Sequence, residues 1–258
     1  MRWRPARKPR SCRSKPNPPV SQLPPPEHIA IIMDGNNRWA RHRFLPRVMG
    51  HKAGIESIRR VAEACDKRGV RVLTLYAFST ENWSRPRDEV DALMTLFGET
   101  IRRELDELAR RHIELRFSGR LEELSPALQD QMRQANERTS VGGRAILNIA
   151  INYGGRGEIV DAVRAMAREG IDLKQVDEVT IGNHLYTQGL PDPDLVIRTA
   201  GEMRLSNFLL WQTAYSEFFS TQTLWPDFGE DDLDQALASY HRRERRFGAR
   251  PEVSNRGR

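Results

Sequence analysis

The sequence predicts an α/β fold: a single domain with a mainly parallel central sheet flanked by helices. Five short apolar runs have the length and composition of strands that are buried on both faces. Segments with apolar residues at helical spacing separate these runs, an alternation that is typical of parallel sheets. A chain of 258 residues, 38% of them hydrophobic, is long enough for one large core. The predicted strands are residues 29–33, 70–78, 113–117, 145–151 and 195–197.

Helices are predicted over residues 55–69, 88–110, 124–138, 158–168 and 230–243. Pro46 interrupts the segment before the first of them, so Arg47 is expected on a loop. The helix over residues 88–110 carries an unbroken apolar stripe. At about 1.5 Å per residue it would be roughly 35 Å long. Core packing accounts for such a stripe by default, but the stripe also suits one wall of an elongated apolar tunnel.

Positive charge is concentrated at the two ends of the chain. Residues 1–26 contain seven Lys or Arg, no acidic residue and eight of the fifteen prolines, a composition typical of disordered segments. Residues 241–258 contain seven Arg and two Glu. Without both ends, 27 basic and 33 acidic residues remain, so the body carries −6 although the chain carries +6. A nucleic-acid-binding domain would be expected to carry its positive face on the body, so no nucleic-acid partner is expected.

The cysteines and the hydropathy pattern predict a cytoplasmic protein. Cys12 and Cys65 form no CxxC motif, which favours a reducing compartment. Cys65 is in helical register with neighbouring apolar residues and is expected in the core. No apolar run approaches the roughly 20 residues that span a bilayer, and the Arg-rich start lacks the apolar stretch of a secretory signal. Peripheral contact with the inner face of the membrane stays open as an alternative.

Polar clusters follow the predicted strands at the point where each strand ends. Directly after the first strand, Gly35, Asn36 and Asn37 form a turn. Gly and Asn tolerate positive φ and allow backbone N–H groups to face a phosphate, and Arg38 adds a planar set of donors. A lone carboxylate beside phosphates, here Asp34, is best explained as a magnesium ligand. A turn that only reverses the chain is the alternative for this segment alone.

The other strand ends add further groups of the same kind. Together with the first strand end, they give the set Asp34, Asn36, Arg38, Ser79, Asn82, Arg85, Arg198, Arg204 and Ser206. Arg47, His51 and Glu217 lie in neighbouring motifs of the sequence. Five arginines and two carboxylates predict a site for more than one phosphate group and a divalent metal. The motifs GxxxxGK[ST] and GxGxxG are absent, and no Ser/His/Asp or Cys/His set stands out at the strand ends. Phosphate binding with little covalent catalysis remains.

Five segments of the chain resemble the cis-prenyltransferase family. They are DGNNRWA at 34–40, GHKAG at 50–54, LTLYAFSTENWSRP at 73–86, NYGGR at 152–156 and PDLVIRTAGEMRLSNFLLWQ at 193–212. The similarity extends over about residues 28–248 and is greatest to the bacterial members that make undecaprenyl diphosphate. It implies a catalytic domain over 27–248, between a basic N-terminal tail (1–26) and a basic C-terminal tail (249–258).

The resemblance also implies an activity. Isopentenyl diphosphate would be condensed repeatedly onto an allylic diphosphate, with farnesyl diphosphate as the expected primer, to give a long-chain polyprenyl diphosphate with Z double bonds. Undecaprenyl diphosphate, the precursor of the cell-wall carrier lipid, is the expected product, and Mg²⁺ is the expected cofactor. The apolar tunnel would hold the growing chain, whose exposure to water would cost roughly 25 cal/mol per Å².

Residue roles carry over from the matching motifs. Asp34 would position Mg²⁺ and the allylic diphosphate, and Glu217 would be the second metal ligand, at or near the partner side of the site. Asn82 matches the family's proton acceptor. Because a neutral amide is a very weak base, orientation of the substrate by Asn82, with the departing diphosphate taking the proton, is the chemically stronger alternative. The substrate-binding residues would be Gly35, Asn36, Asn37, Arg38, Trp39, Arg47, His51, Ser79, Thr80, Glu81, Trp83, Arg85, Arg198, Arg204, Leu205 and Ser206.

Two departures from the family pattern matter. Met203 stands where many relatives have His, and Ala200 replaces a Gly of the same motif. Met203 is therefore left out of the metal ligands. The segment Arg246-Phe247-Gly248 resembles a family motif that reaches the neighbouring subunit's site, which implies a homodimer. Trp39, Trp83 and Phe78 would shield the allylic cation or serve only as core aromatics.

Three other functions can be compared with the same residues: a shorter-product synthase, a trans-type synthase and a non-catalytic scaffold. A shorter-product cis-prenyl synthase, of the Z-farnesyl or decaprenyl type, would share these motifs, because tunnel volume and not spacing sets chain length. A trans-type synthase is disfavoured, since residues 231–234 lack the second spaced aspartate of DDxxD and match a helix start. A non-catalytic scaffold would have no need for Asp34, Asn82 and the arginines together.

Overall fold

Six strands form one sheet in the computed structural model, which describes residues 24–140 and 142–242. The strands are β1 (His28–Ile32), β2 (Val72–Ser79), β3 (Ile113–Ser118), β4 (Ala145–Tyr153), β5 (Leu195–Arg198) and β6 (Glu217–Ser220). Their order across the sheet is β3-β4-β2-β1-β5-β6, and every neighbouring pair is parallel. The predicted α/β class with a mainly parallel sheet is therefore confirmed. Most of both predicted tails, and Arg246-Phe247-Gly248, lie outside the described residues.

Seven α-helices are described, and they cover the sheet. They are α1 (Asn36–His42), α2 (Arg47–Lys67), α3 (Arg87–Arg110), α4 (Pro126–Thr139), α5 (Gly155–Arg168), α6 (Glu178–Gly182) and α7 (Glu230–His241). None of the helices in the described part of the chain is both long enough and apolar enough to cross a membrane. Single 3₁₀ turns at Thr80–Ser84, Leu121–Glu123, Leu173–Gln175 and Trp225–Asp227 complete the connections.

Alternating residues of the central strands build two apolar layers. Ile29 and Ile31 of β1 belong to the larger core, which includes Cys65 and lies under α2, α3, α4 and α7. Ala30 and Ile32 belong to a smaller cluster with Tyr153 and Phe208 on the other face. This period of two is expected of strands, and burial on both faces explains why the runs are apolar throughout.

The structure adds one strand that was not predicted, β6, and corrects one sequence prediction. Arg47 does not lie on a loop but is the first residue of α2, with Pro46 at the position before it. A proline cannot continue α1 because it lacks an N–H group, but its fixed φ suits the start of a helix.

Strand direction decides which residues can meet. The carboxyl ends of β1, β2 and β5 lie at one edge of the sheet, because β1 is in parallel register with both neighbours. Asp34, Ser79 and Arg198 therefore converge there, as expected of residues at the carboxyl ends of parallel strands. Glu217 begins β6 and is in register with Leu195, the first residue of β5, so it lies at the opposite edge.

Candidate active site

An open cleft of about 650 Å³ lies at the carboxyl ends of β1, β2 and β5. Polar side chains from three separate connections face it, although more than 100 residues of sequence separate the first connection from the last. The predicted site residues that line the cleft are Asp34, Gly35, Asn36, Asn37, Arg38, His51, Ser79, Glu81, Asn82, Arg85, Arg198, Arg204 and Ser206.

The centre of the cleft is an ion pair between Asp34 and Arg198. Both Nε and Nη2 of Arg198 donate to Oδ2 of Asp34, at 2.9 and 2.7 Å. The Arg198 side chain is only 3% exposed, whereas that of Asp34 is 35% exposed. Nη1 of Arg198 donates to the Ser206 hydroxyl at 2.8 Å and to the backbone carbonyl of Arg204. One buried guanidinium thus fixes the carboxylate and the loop after β5 relative to each other.

Gly35 allows the chain to turn from β1 into the cleft. Its φ of 109° lies in the left-handed region, and a Cβ there would stand 2.9 Å from Leu224 Cδ2. Glycine meets both demands because it has no Cβ. The backbone carbonyl of Asp34 is held from behind by the Thr199 hydroxyl at 2.7 Å and by the Trp225 N–H at 3.0 Å. The carboxylate therefore stands on a fixed backbone.

Two buried polar atoms beside the cleft have no hydrogen-bond partner among the described residues: Oδ1 of Asn36 and Nε2 of His51. Burial, assisted by the positive charge of Arg85 and opposed by Glu89, lowers the pKa of His51 to about 4. The imidazole is therefore neutral at neutral pH. An unpaired buried polar atom is costly, so these atoms indicate a ligand that would pair with them.

The 3₁₀ turn after β2 carries Asn82 to the cleft. Oδ1 of Asn82 accepts the N–H of Ser79 at 3.1 Å, which fixes the amide at the start of the turn. Glu81 accepts a hydrogen bond from Asn207 at 2.8 Å, which ties this turn to the loop after β5. Burial raises the pKa of Glu81, but hydrogen bonds led by that from Asn207 outweigh it and hold this pKa below its ordinary value. Glu81 is therefore a carboxylate at neutral pH.

Arg38 and Arg204 flank a carboxylate that sequence reasoning left out, Glu202. Glu202 lies 3.6 Å from Arg38 and forms an ion pair with Arg204. The hydrogen bond from Arg204 lowers the pKa of Glu202. Tyr76 and Asn207 also line the cleft and were not predicted. Tyr76 could have been found from its place near the carboxyl end of β2, whereas the spacing of Glu202 and Asn207 gave no signal beyond their place in the motif.

Beneath the polar cleft lies an apolar cavity of about 190 Å³ between α2, α3 and the sheet. The cavity adjoins the cleft, because both are lined by Met33, Asn36, His51, Ala77 and Leu93. Leu93, Phe97 and Leu108 of the predicted stripe line this cavity. The stripe therefore faces an internal space and the core together.

Six predicted site residues do not line the cleft: Trp39, Arg47, Thr80, Trp83, Leu205 and Glu217. The indole N–H of Trp39 donates to Asp227, and that of Trp83 donates to Asn152, each at 2.7 Å. Arg47 pairs with Glu89 at 3.1 Å. Hydrogen bonds and ion pairs to neighbouring elements thus hold three of the six side chains elsewhere.

The other three are placed by packing, local bonding and strand direction. Leu205 packs against the smaller apolar cluster, and the Thr80 hydroxyl donates to Glu81 at 3.3 Å. Glu217 cannot join Asp34 within one chain, because β6 places it at the opposite edge of the sheet. Within one chain, Glu217 and Asp34 therefore do not ligate the same metal, and the expected place of Glu217 at or near the partner side of the site stays a prediction.

Asp34 alone offers too few oxygen atoms to hold a hard cation, so substrate oxygens would have to complete the coordination. In the described part of the chain, no three His, Cys, Asp or Glu side chains are grouped so that they could enclose a metal. Both bonds from Arg198 reach Oδ2 of Asp34, so neither of them occupies Oδ1. Mg²⁺ commonly takes one or two carboxylates together with substrate phosphates and water, so a single carboxylate in an arginine-lined cleft fits it.

Comparisons with known proteins agree on one family. A family model described as "Putative undecaprenyl diphosphate synthase" matches residues 32–248. An isoprenyl transferase of Heliobacterium mobile is 52% identical over 227 residues, which are 86% of this chain and 87% of that protein. A ditrans,polycis-undecaprenyl-diphosphate synthase ((2E,6E)-farnesyl-diphosphate specific) of Xanthomonas axonopodis pv. citri is 49% identical over 89% of this chain and 91% of its own length.

A solved structure shares the fold. The crystal structure of lavandulyl diphosphate synthase from Lavandula x intermedia, in complex with dimethylallyl diphosphate, aligns with a TM-score of 0.83. Its sequence identity to this chain is 39%, and the alignment covers 86% of this chain and 98% of that one.

Proposed function

Because the chain belongs to the undecaprenyl diphosphate synthase family of prenyltransferases, we propose that it condenses isopentenyl diphosphate repeatedly onto an allylic diphosphate. The observation that carries the proposal is that the Asp34–Arg198 cleft directly adjoins the apolar cavity under it. Polar walls suit diphosphates, and the cavity suits a hydrocarbon chain. Farnesyl diphosphate as primer and undecaprenyl diphosphate as product are supported by the name of the Xanthomonas relative.

The two diphosphates would occupy different parts of the cleft. The allylic diphosphate is assigned to Gly35, Asn36, Asn37 and Arg38 with His51, whose unpaired Nε2 would gain a partner. Isopentenyl diphosphate is assigned to Arg198, Arg204 and Ser206, which one hydrogen-bonded network already joins. On this assignment the Asp34–Arg198 pair stands between the two substrates.

Electrostatics supplies the rate enhancement in this proposal. Breaking the allylic C–O bond develops negative charge on the leaving diphosphate, and donors fixed before the reaction stabilise that charge more than they stabilise the bound substrate. The alkene of isopentenyl diphosphate then forms the new C–C bond, and a proton leaves the adjacent carbon. The amide of Asn82 is fixed by Ser79 and orients a substrate, while the released diphosphate accepts the proton.

A magnesium ion is part of the proposal. Asp34 would hold it through Oδ1 together with diphosphate oxygens, and the ion would neutralise charge on the leaving group. The strand register keeps Glu217 away from the cleft of its own chain. We therefore assign its predicted metal role to a site shared with a second subunit.

A homodimer in the cytoplasm, with peripheral contact at the membrane, completes the proposal. Exposed apolar side chains on α5 support a second copy as partner: Val160 and Val163. Light scattering of the purified protein measures the mass directly, and a mass of one chain would contradict the dimer.

The test is a product assay. Purified protein is incubated with farnesyl diphosphate, labelled isopentenyl diphosphate and Mg²⁺, and the products are separated by chain length. We expect long-chain products that are lost when the metal is chelated. Absence of any condensed product would overturn the proposal. Products of one or a few additions would favour the shorter-product alternative. The fold that the chain shares with lavandulyl diphosphate synthase is compatible with that alternative.

A further inference from the structure

The end of α1, the connection after it and the first turn of α2 form an exposed segment that is both apolar and basic. Residues 41–47 are seven consecutive exposed positions, and Met49 follows in the first turn of α2. Phe44 is 98% exposed, Leu45 39% and Met49 40%. We propose that this segment, residues 41–49, is a membrane-docking loop that inserts Phe44 and Leu45 into the surface of a bilayer with anionic headgroups.

The 98% exposure of Phe44 shows that its side chain lies in solvent and is not packed, and its backbone is strained as well. Its φ is 56°, in the left-handed region that glycine occupies without strain and a bulky residue occupies rarely. The strained backbone of Phe44 destabilises the folded chain, and burial of the side chain within the described residues does not compensate for this cost. Water contact does not explain an aromatic side chain there, whereas insertion into an apolar phase would.

Charge argues for an anionic surface. The sequence from residue 35 to residue 55 contains five Arg or Lys and no acidic residue. Arg43 and Arg47 each pair with one carboxylate but keep 43% and 70% of their side chains exposed. Arg41 forms no ion pair within the described ranges of the chain. Apolar tips among basic residues match the boundary between acyl chains and anionic headgroups.

The position of the loop gives the contact a use. Helix α1 starts at the cleft residue Asn36, and α2 returns to the cleft at His51. At the other end of the loop, Arg47 bonds to Glu89, which also pairs with the cleft residue Arg85. Docking by this loop would place the cleft mouth near the bilayer. This step rests on the proposed function, since a polyprenyl product belongs in a membrane.

The experiment measures vesicle binding of the full chain without substrates. Vesicles of phosphatidylcholine alone are compared with vesicles that also contain phosphatidylglycerol, and bound protein is separated by sedimentation. The test variant is Phe44→Gly combined with Leu45→Ser, in which glycine removes the strain at residue 44. Its thermal midpoint is expected to stay at or above that of the wild type. The matched control is Val179→Ser, at a 68% exposed valine on α6.

We expect the wild type and the control to sediment with the anionic vesicles. The affinity of the double variant for these vesicles should fall by about tenfold or more. The predicted basic tails are the same in all three proteins, so the difference reports the loop alone. Equal binding by the double variant, or no binding by the wild type, would overturn the proposal. Because no substrate is present, failure of the proposed prenyl transfer would leave this result unchanged.

Discussion

Arg198 organises the cleft at the level of single residues. It is almost fully buried, and its guanidinium contacts the Asp34 carboxylate, the Ser206 hydroxyl and the Arg204 carbonyl at once. A lysine ammonium is a compact charge and cannot reproduce this planar set of donors. Loss of one contact would therefore shift the whole loop after β5.

We predict that Arg198→Lys raises the KM for isopentenyl diphosphate about tenfold or more, because the paired hydrogen bonds to Oδ2 of Asp34 and the loop geometry are lost. Steady-state kinetics measures the change. Arg68→Lys is the matched control, since Arg68 also grips a carboxylate, Asp234, at 2.6 and 2.8 Å, but far from the cleft. An unchanged KM in Arg198→Lys would contradict the assignment of Arg198 to that substrate.

His51 is a neutral imidazole in the free protein, since its pKa is lowered to about 4. A diphosphate beside its unpaired Nε2 would favour the charged form and raise this pKa. We predict that diphosphate binding at pH 6 takes up more protons in the wild type than in His51→Gln. Calorimetry in two buffers of different ionisation enthalpy measures the difference. Equal proton uptake by both proteins would show that His51 does not contact the diphosphate.

At the level of elements, α2 and α3 form the walls of the apolar cavity. Ala62 of α2 faces that cavity and is small enough for a larger side chain to fill part of the space. We predict that Ala62→Leu shortens the longest product, because the chain would meet the wall sooner. The product assay above measures it. Ala127→Leu, at an exposed position of α4, is the control and should leave product length unchanged.

The elements also show how far sequence reasoning reaches. Helix α3 was predicted to within one residue because its apolar spacing is long and regular. Strand β6 was missed because Glu217–Ser220 is four residues long, is only partly buried and follows an apolar aromatic stretch without a clear period. Predicting the carboxyl ends of the strands correctly located most of the cleft.

The errors in the site prediction come from side chains whose positions depend on residues that are distant in sequence. Trp39 and Trp83 belong to the matching motifs, but their indole N–H groups bond to Asp227 and Asn152, which are distant in sequence. The opposite placement of Glu217 follows from a strand that was not predicted. The unpredicted Glu202 becomes visible only when Arg38 and Arg204 are seen on either side of it.

At the level of the whole molecule, a buried histidine joins the start of β1 to its neighbours. The ring of His28 lies 2.7 Å from the Pro191 carbonyl and 2.7 Å from the Thr74 hydroxyl. Burial lowers its pKa to about 4, although the bond to Pro191 and the charge of Asp194 oppose this. Between pH 6.5 and 4 the unfolded chain therefore binds more protons than the folded protein. Stability is full above pH 6.5 and is lost as the pH falls towards 4.

We predict that the free energy of unfolding is about 2 kcal/mol lower at pH 5 than at pH 7 on account of His28. Urea titrations at both pH values measure it, and His51 should add to the loss in the same range. In His28→Gln the difference between the two pH values should shrink. An equal difference in this variant would mean that other groups cause the acid sensitivity.

Asp34, the carboxylate between the two proposed diphosphate sites, is the residue on which the proposed reaction depends most. The direct test compares turnover of Asp34→Asn with that of Asp227→Asn, whose carboxylate bonds to Trp39 and Arg43 outside the cleft. The substrates are farnesyl diphosphate and isopentenyl diphosphate with Mg²⁺. We predict that Asp34→Asn remains folded and loses activity about a hundredfold or more, whereas Asp227→Asn keeps most of it. Retention of more than half of the activity by a folded Asp34→Asn would contradict the account.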